Sequence, residues 1–250
     1  MNIALVLSGG VGTRLESDIP KQYIRIGGRM VITFCLKTIF EHPSVDAVQI
    51  VAENEWQEPI LSEVDFLETN RYKLFGFSNP GINRQMSIYH ALQDIRSWAE
   101  NDTAVLVHDA ARPCLSRRQI SDCLEALDGH DGVMPVLPVK DTVYKSLDGK
   151  SVSKLLDRSC LFAGQAPEVY RMNSYYRANE CLIPDKILRV NGSTEPAVLA
   201  GLDVVMIRGD EHNFKITTTE DLERFRQIAQ KKQDSYGLLG GNGYESLGTA

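Results

Sequence analysis

The chain has 250 residues, 43% hydrophobic and 24% charged, with a formal net charge of −6. That is globular composition, long enough to bury a core in one α/β domain with at most a small appendage. The acidic balance argues against nucleic-acid binding, which needs surplus Lys and Arg, and no apolar run reaches the ~18 residues of a membrane helix. The five cysteines (Cys35, Cys114, Cys123, Cys160, Cys181) are odd in number and lack any C-x-x-C pair. A disulfide framework or structural zinc site is therefore not expected, and a reducing, cytoplasmic setting fits best.

Short apolar runs alternate with amphipathic stretches, which predicts βαβ units and a mostly parallel sheet. Residues 3–8 read as a buried first strand rather than a secretory signal. It runs into Leu7-Ser8-Gly9-Gly10-Val11-Gly12-Thr13-Arg14-Leu15, with Pro20-Lys21-Gln22-Tyr23 just beyond. Glycines there let the backbone turn tightly, and the freed N–H groups form a concave anion site. A Walker A loop is excluded because no Gly-Lys-Ser/Thr follows, and a dinucleotide fingerprint fails at Leu15. A plain strand-to-helix turn remains the alternative, and Arg14 and Lys21 favour a triphosphate.

Next come a helix over 31–40, a strand over 47–52, a helix over 58–68, a strand over 72–77 and a helix over 84–100. Residues 104–108 form a strongly strand-like run that delivers Asp109 in Val107-His108-Asp109-Ala110-Ala111-Arg112-Pro113. Ligands bind at the carboxyl ends of parallel strands, so Asp109 is a candidate Mg²⁺ ligand; pairing with Arg112 or capping a turn is the plainer reading. Ser116 predicts a helix cap and 133–139 another strand. Residues 138–166 carry a β-hairpin pattern around Leu147-Asp148-Gly149-Lys150, with little apolar bulk on either side. Such an arm usually packs on something, often another subunit. A helix near 173–181, a strand over 203–207 and a helix led by Thr219-Glu220-Asp221 complete a single domain over 1–232. Residues 233–250, Gly- and Ser-rich, predict a loose tail.

The ordered motifs G-G-x-G-T-R, P-K-Q, V-H-D-A-A-R-P, K-D-T, D-R and N-x-K-I-T-T resemble the cytidylyltransferase family that includes the methylerythritol-phosphate and ribitol-5-phosphate enzymes. The likeness spans roughly residues 2–230. It implies a Rossmann-like nucleotidyltransferase fold, a three-layer sandwich whose projecting β-arm (about 138–166) builds a homodimer. It further implies that CTP and a small polyol or sugar phosphate are the substrates and Mg²⁺ the metal.

By that resemblance Leu7, Ser8, Gly9, Gly10, Gly12 and Thr13 form the nucleotide loop, and Arg14 and Lys21 stabilise the phosphates. Asp109 holds Mg²⁺ near the ribose beside Ala110, and Arg112 supports. Residues 80–87 match the cytosine-reading loop, with Gly81, Arg84 and Ser87 at the nucleotide. Ile82 stands where the methylerythritol enzymes often carry Asp, so base reading rests on backbone groups and Ser87. Lys215 matches an acceptor-phosphate lysine, and Thr142 and Arg158 match arm residues supplied by the neighbouring subunit. On their own, Lys215 reads as a solvated strand-end lysine and Arg158 as a surface arginine. The segments 163–167 and 199–201 lean toward ribitol 5-phosphate as acceptor, with methylerythritol phosphate the alternative. A non-catalytic nucleotide-binding protein is the reading from another class.

Overall fold

The computed structural model describes residues 1–10, 19–68, 70–100 and 103–236. Strand β1 (Asn2–Leu7) is followed by a single 3-10 turn (Lys21–Tyr23), a short hairpin of β2 (Arg25–Ile26) and β3 (Arg29–Met30), and α1 (Val31–Phe40). Then come β4 (Ala47–Val51), α2 (Asn54–Phe66), β5 (Leu74–Ser78), α3 (Arg84–Arg96), β6 (Ala104–Asp109), α4 (Arg117–Glu125) and β7 (Gly132–Pro138). The arm strands β8 (Tyr144–Lys145) and β9 (Lys154–Leu155) precede β10 (Phe162–Gly164), β11 (Glu168–Arg171) and α5 (Met172–Glu180). Helix α6 (Glu195–Leu199), β12 (Val204–Arg208) and α7 (Thr219–Tyr236) close the described chain.

The large sheet runs β7–β11–β6–β1–β4–β5, with β12 along one edge of β7 and β10 paired to its carboxyl end. Both faces are covered, which explains why the central strands read as continuous apolar runs. Successive side chains of β1 point to opposite faces. Ala4 and Val6 join one core with α1, α2 and α4, while Ile3 and Leu5 join a second with α3 and α5. The result is the expected three-layer sandwich. A third cluster seats Phe225 of α7 edge-to-face on Phe34 of α1.

The sheet is mostly parallel, as expected, with β10 and β11 the two strands that run the other way. β11 lies antiparallel between β6 and β7, pairing Glu168 with Val107 and Val169 with both Leu106 and Val133. Helix α2 starts at Asn54, four residues before the expected Glu58, because Trp56 is drawn into the core and stacks on Tyr23. Strand β5 starts at Leu74, since Arg71–Lys73 form a 3-10 turn whose Lys73 ammonium donates to the His42 carbonyl. Ser116 caps α4 by accepting from the Gln119 N–H at 3.2 Å, as its position implied.

In the arm, Tyr144 pairs with Leu155 and Lys145 with Lys154. Phe162 to Gly164 return to β7, so the projecting part is 139–161. At its tip the Asp148 carboxylate accepts from Ser146 Oγ, the Lys150 and Ser151 N–H groups and Ser151 Oγ. Tyr144, Leu147, Val152 and Leu155 remain 56%, 82%, 68% and 58% exposed. Residues 233–236 of the expected loose tail continue α7, while 237–250 lie outside the described residues. All five cysteines are free. Among the described residues no helix is long and apolar enough to cross a membrane.

Candidate active site

From β1 the chain moves outward to β4 and β5, then returns to place β6 on the other side of β1. That reversal makes the carboxyl ends of β1 and β6 a topological switch point, where open α/β sheets bind ligands. Leu7 and Asp109 are register partners there, and the Ala110 N–H donates to the Leu7 carbonyl at 3.0 Å. The glycine turn and the Asp109 carboxylate therefore leave the sheet side by side.

Gln22 and Tyr23, from the 3-10 turn that Lys21 opens, hold the start of the glycine turn. Gln22 Nε2 donates to the carbonyls of Ser8 and Gly10 at 2.6 and 2.8 Å. The Tyr23 hydroxyl donates to the Ser8 carbonyl at 2.8 Å and accepts from Ser8 Oγ at 2.9 Å. Gly9 backs onto Pro80: a Cβ there would lie 2.5 Å from Pro80 Cβ. That contact sets the glycine turn beside the loop over 80–87.

This loop is folded on itself. The Gly81 N–H donates to Ser87 Oγ at 2.9 Å, and that hydroxyl donates to the Asn83 carbonyl at 3.0 Å. Asn83 caps α3 by accepting from the Met86 N–H at 2.8 Å. A Cβ on Gly81 would lie 2.4 Å from Met86 Cβ and 2.8 Å from the Ser87 nitrogen, so glycine is required by close approach. The Ile82 side chain is 86% exposed.

Three cations converge on Asp109. Arg84 donates twice to Oδ1, from Nε at 3.1 Å and Nη2 at 2.9 Å. Lys215 Nζ donates to Oδ2 at 2.9 Å, and Arg112 Nε lies 3.6 Å from the same oxygen. Arg84 opens α3, where the helix dipole disfavours a cation, and Asp109 compensates. Burial opposes ionisation of Asp109, but Arg84, Lys215 and Arg112 outweigh it and hold the carboxyl well below its usual range. Arg112 also donates to the Asn213 carbonyl at 2.8 Å, and the Ile216 N–H donates to the Ala111 carbonyl at 2.9 Å. Those two bonds deliver Lys215 to the strand tip.

The site thus realises the plainer sequence reading of Asp109, as an ion-pair partner that includes Arg112, and places its carboxylate at the tip of β6. For Mg²⁺ it offers one carboxylate whose two oxygens already accept from cations. Among the described residues no three His, Cys, Asp or Glu side chains converge. Such a donor set fits Mg²⁺ only if substrate oxygens and water complete the shell, its ordinary mode at phosphates.

Gly12, Thr13 and Arg14 lie outside the described residues. Lys21 is half-buried at the head of the 3-10 turn. Thr142 is exposed on the arm, and Arg158 donates to the Lys140 carbonyl within the arm at 2.6 Å. The single chain therefore joins Arg84, Arg112, Lys215 and Asp109 but does not bring the two arm residues into that cluster.

Sequence reasoning missed Glu168. Its side chain is buried, Ser193 Oγ donates to one oxygen, and the other lies 3.9 Å from Arg84 Nη2. Burial raises its pKa against the pull of Arg84 and Ser193. A charged residue following Pro167 was the signal available. His108 is fully buried, hydrogen-bonds the Arg112 carbonyl at 3.1 Å, and is pushed by burial to about 4.

The family model described as 2-C-methyl-D-erythritol 4-phosphate cytidylyltransferase matches residues 2–231. Over 90% of this chain, the bifunctional enzyme IspD/IspF of Paramagnetospirillum magneticum is 33% identical, and the chain spans 56% of that relative's length. The ribitol-5-phosphate cytidylyltransferase of Lacticaseibacillus paracasei is 26% identical, over 93% of this chain and 100% of its own. A solved structure, the Francisella tularensis 2-C-methyl-D-erythritol 4-phosphate cytidylyltransferase, superposes with a TM-score of 0.75 at 26% identity. That superposition covers 90% of this chain and 98% of the other. With motifs, fold and switch-point cluster in agreement, the chain belongs to the 2-C-methyl-D-erythritol 4-phosphate cytidylyltransferase family and is a nucleotidyltransferase.

Proposed function

We propose that the enzyme transfers a cytidylyl group from CTP to a polyol phosphate, D-ribitol 5-phosphate in the first instance, and releases pyrophosphate. The observation that carries this reading is the convergence of Arg84, Arg112 and Lys215 on Asp109 beside the glycine turn. Three cations face two carboxylates, Asp109 and Glu168, leaving a positive balance for phosphates.

In this reading a phosphate oxygen of the acceptor attacks the α-phosphorus of CTP in line, and the α–β bridging oxygen leaves with pyrophosphate. The acceptor is already ionised at neutral pH, so no general base is needed, and positioning and charge neutralisation do the work. Lys21 and Arg14 neutralise the triphosphate, and the 80–87 loop reads the base through its backbone and Ser87. Asp109 would hold Mg²⁺, and the ion would add charge stabilisation there. Lys215 turns to the acceptor phosphate. Thr142 and Arg158 reach the acceptor from a second copy of the chain, across a homodimer built on the arm. The exposed Tyr144, Leu147, Val152 and Leu155 support that assembly. Free cysteines support a cytoplasmic setting.

Methylerythritol phosphate is the second acceptor reading, favoured by the family model across 2–231. Pyrophosphate release with CTP and Mg²⁺ decides between them. Higher kcat/KM with ribitol 5-phosphate is expected, and the reverse order assigns the other acceptor. Turnover with neither overturns both acceptor readings.

A further inference from the structure

Where the chain leaves β1, the Ser8 N–H still donates to the Val51 carbonyl at 2.9 Å, but the carbonyls of Ser8 and Gly10 are taken by side chains. Both amide hydrogens of Gln22 go to this one turn, and the Tyr23 hydroxyl adds a third donor. Gln22 and Tyr23 are each 3% exposed. The Tyr23 ring stacks on Trp56 at 4.0 Å and 13°, which fixes the direction of its hydroxyl. Burial pushes that hydroxyl up to about 12, so it remains a donor throughout the working range.

A peptide plane carries its C=O and N–H on opposite edges. Holding the Ser8 carbonyl toward Gln22 and Tyr23 turns the Gly9 N–H edge of that plane to the other side, the orientation an anion site uses. We propose that Gln22 and Tyr23 are positioning residues for the nucleotide phosphates, fixing the start of the glycine turn, Ser8 to Gly10, before CTP arrives. The inference rests on the CTP reading of that turn.

Gln22→Met keeps length and apolar packing and removes both donors, while Tyr23→Phe keeps the stack on Trp56 and removes one. Calorimetric titration with CTP is expected to show Kd raised ~10-fold or more in Q22M, the scale of a small misplacement at a binding site. Y23F should weaken CTP ~3-fold, because Gln22 still holds the Ser8 carbonyl and each buried hydrogen bond is worth only ~1 kcal/mol net. The acceptor KM should stay within about twofold in both, the split expected of a device that acts on the phosphate turn alone. CTP affinity within twofold of wild type in Q22M overturns the proposal. So does equal weakening of both substrates alongside a lowered unfolding midpoint, which marks a structural role. If Q22M does not fold, Y23F decides alone, and unchanged CTP affinity there overturns the proposal. CTP binding by the wild type without pyrophosphate release removes the reaction and not the clamp. Release by the wild type with unaltered variants removes the clamp and not the reaction.

Discussion

Lys215 shows what one residue is asked to do. It reaches Asp109 only because Arg112 anchors the Asn213 carbonyl more than a hundred residues away in sequence. Lys215→Ala should raise the acceptor KM at least ~10-fold while moving the CTP KM less than ~3-fold, since binding to one substrate alone loses a contact. Steady-state kinetics with each substrate varied in turn checks this, and equal effects would contradict the role. His108 carries a pH prediction. Its folded pKa of about 4 lies below the unfolded ~6.5, so the stability from keeping it neutral is present above ~6.5 and lost as pH falls toward 4. Asp109, depressed, loses its contribution only below the unfolded ~3.9; Glu168, raised, loses its share in the opposite sense, as pH rises through its folded value. Urea unfolding should therefore show about 2 kcal/mol less stability at about pH 5 than at about 7.5 from His108, and His108→Gln should flatten that slope.

At the scale of elements, the loop between β5 and α3 is set by sterics more than by side-chain chemistry. Gly81→Ala should raise the CTP KM ~10-fold or more, because a Cβ has no room against the first turn of α3. Ile82→Ala, at an 86% exposed side chain, should move the unfolding free energy by under ~0.5 kcal/mol. Chemical denaturation and CTP kinetics on the two variants separate these effects. Elements with a strong period were legible in the sequence: α1 occupies the expected residues 31–40, and β1, β4 and β6 read correctly as buried apolar runs. β11 was not legible. Its four residues put Val169 into one core and Tyr170 into the other, with Glu168 and Arg171 at the ends, so neither alternation nor an apolar run announces a strand. α6 was hidden by its five-residue length and Pro196.

Across the whole molecule, βα alternation made the layered architecture readable, and motif order pointed to the family. The partnership of Arg84 with Asp109 and Glu168 was not readable, because only the fold brings positions 84, 109 and 168 together. Assembly is the remaining large-scale question, and the arm answers to experiment. Replacing Leu147 and Val152 with Asp should shift the chain toward monomer in sedimentation. It should also cut specific activity ~10-fold or more if Arg158 of one copy serves the site of another. Dimers of unchanged stability would remove the arm from the interface.

The four hydrogen bonds gathered by Asp148 have a consequence for that encounter. Ordering a residue's backbone costs ~1–2 kcal/mol of entropy, and here the bend over 146–151 is already held by its own hydrogen bonds within one chain. If two copies pair through the arm, docking has less loop to freeze, and recognition would proceed at rates set by diffusion and orientation. In that case, loosening the bend with Asp148→Ala should slow pairing measured by stopped-flow association.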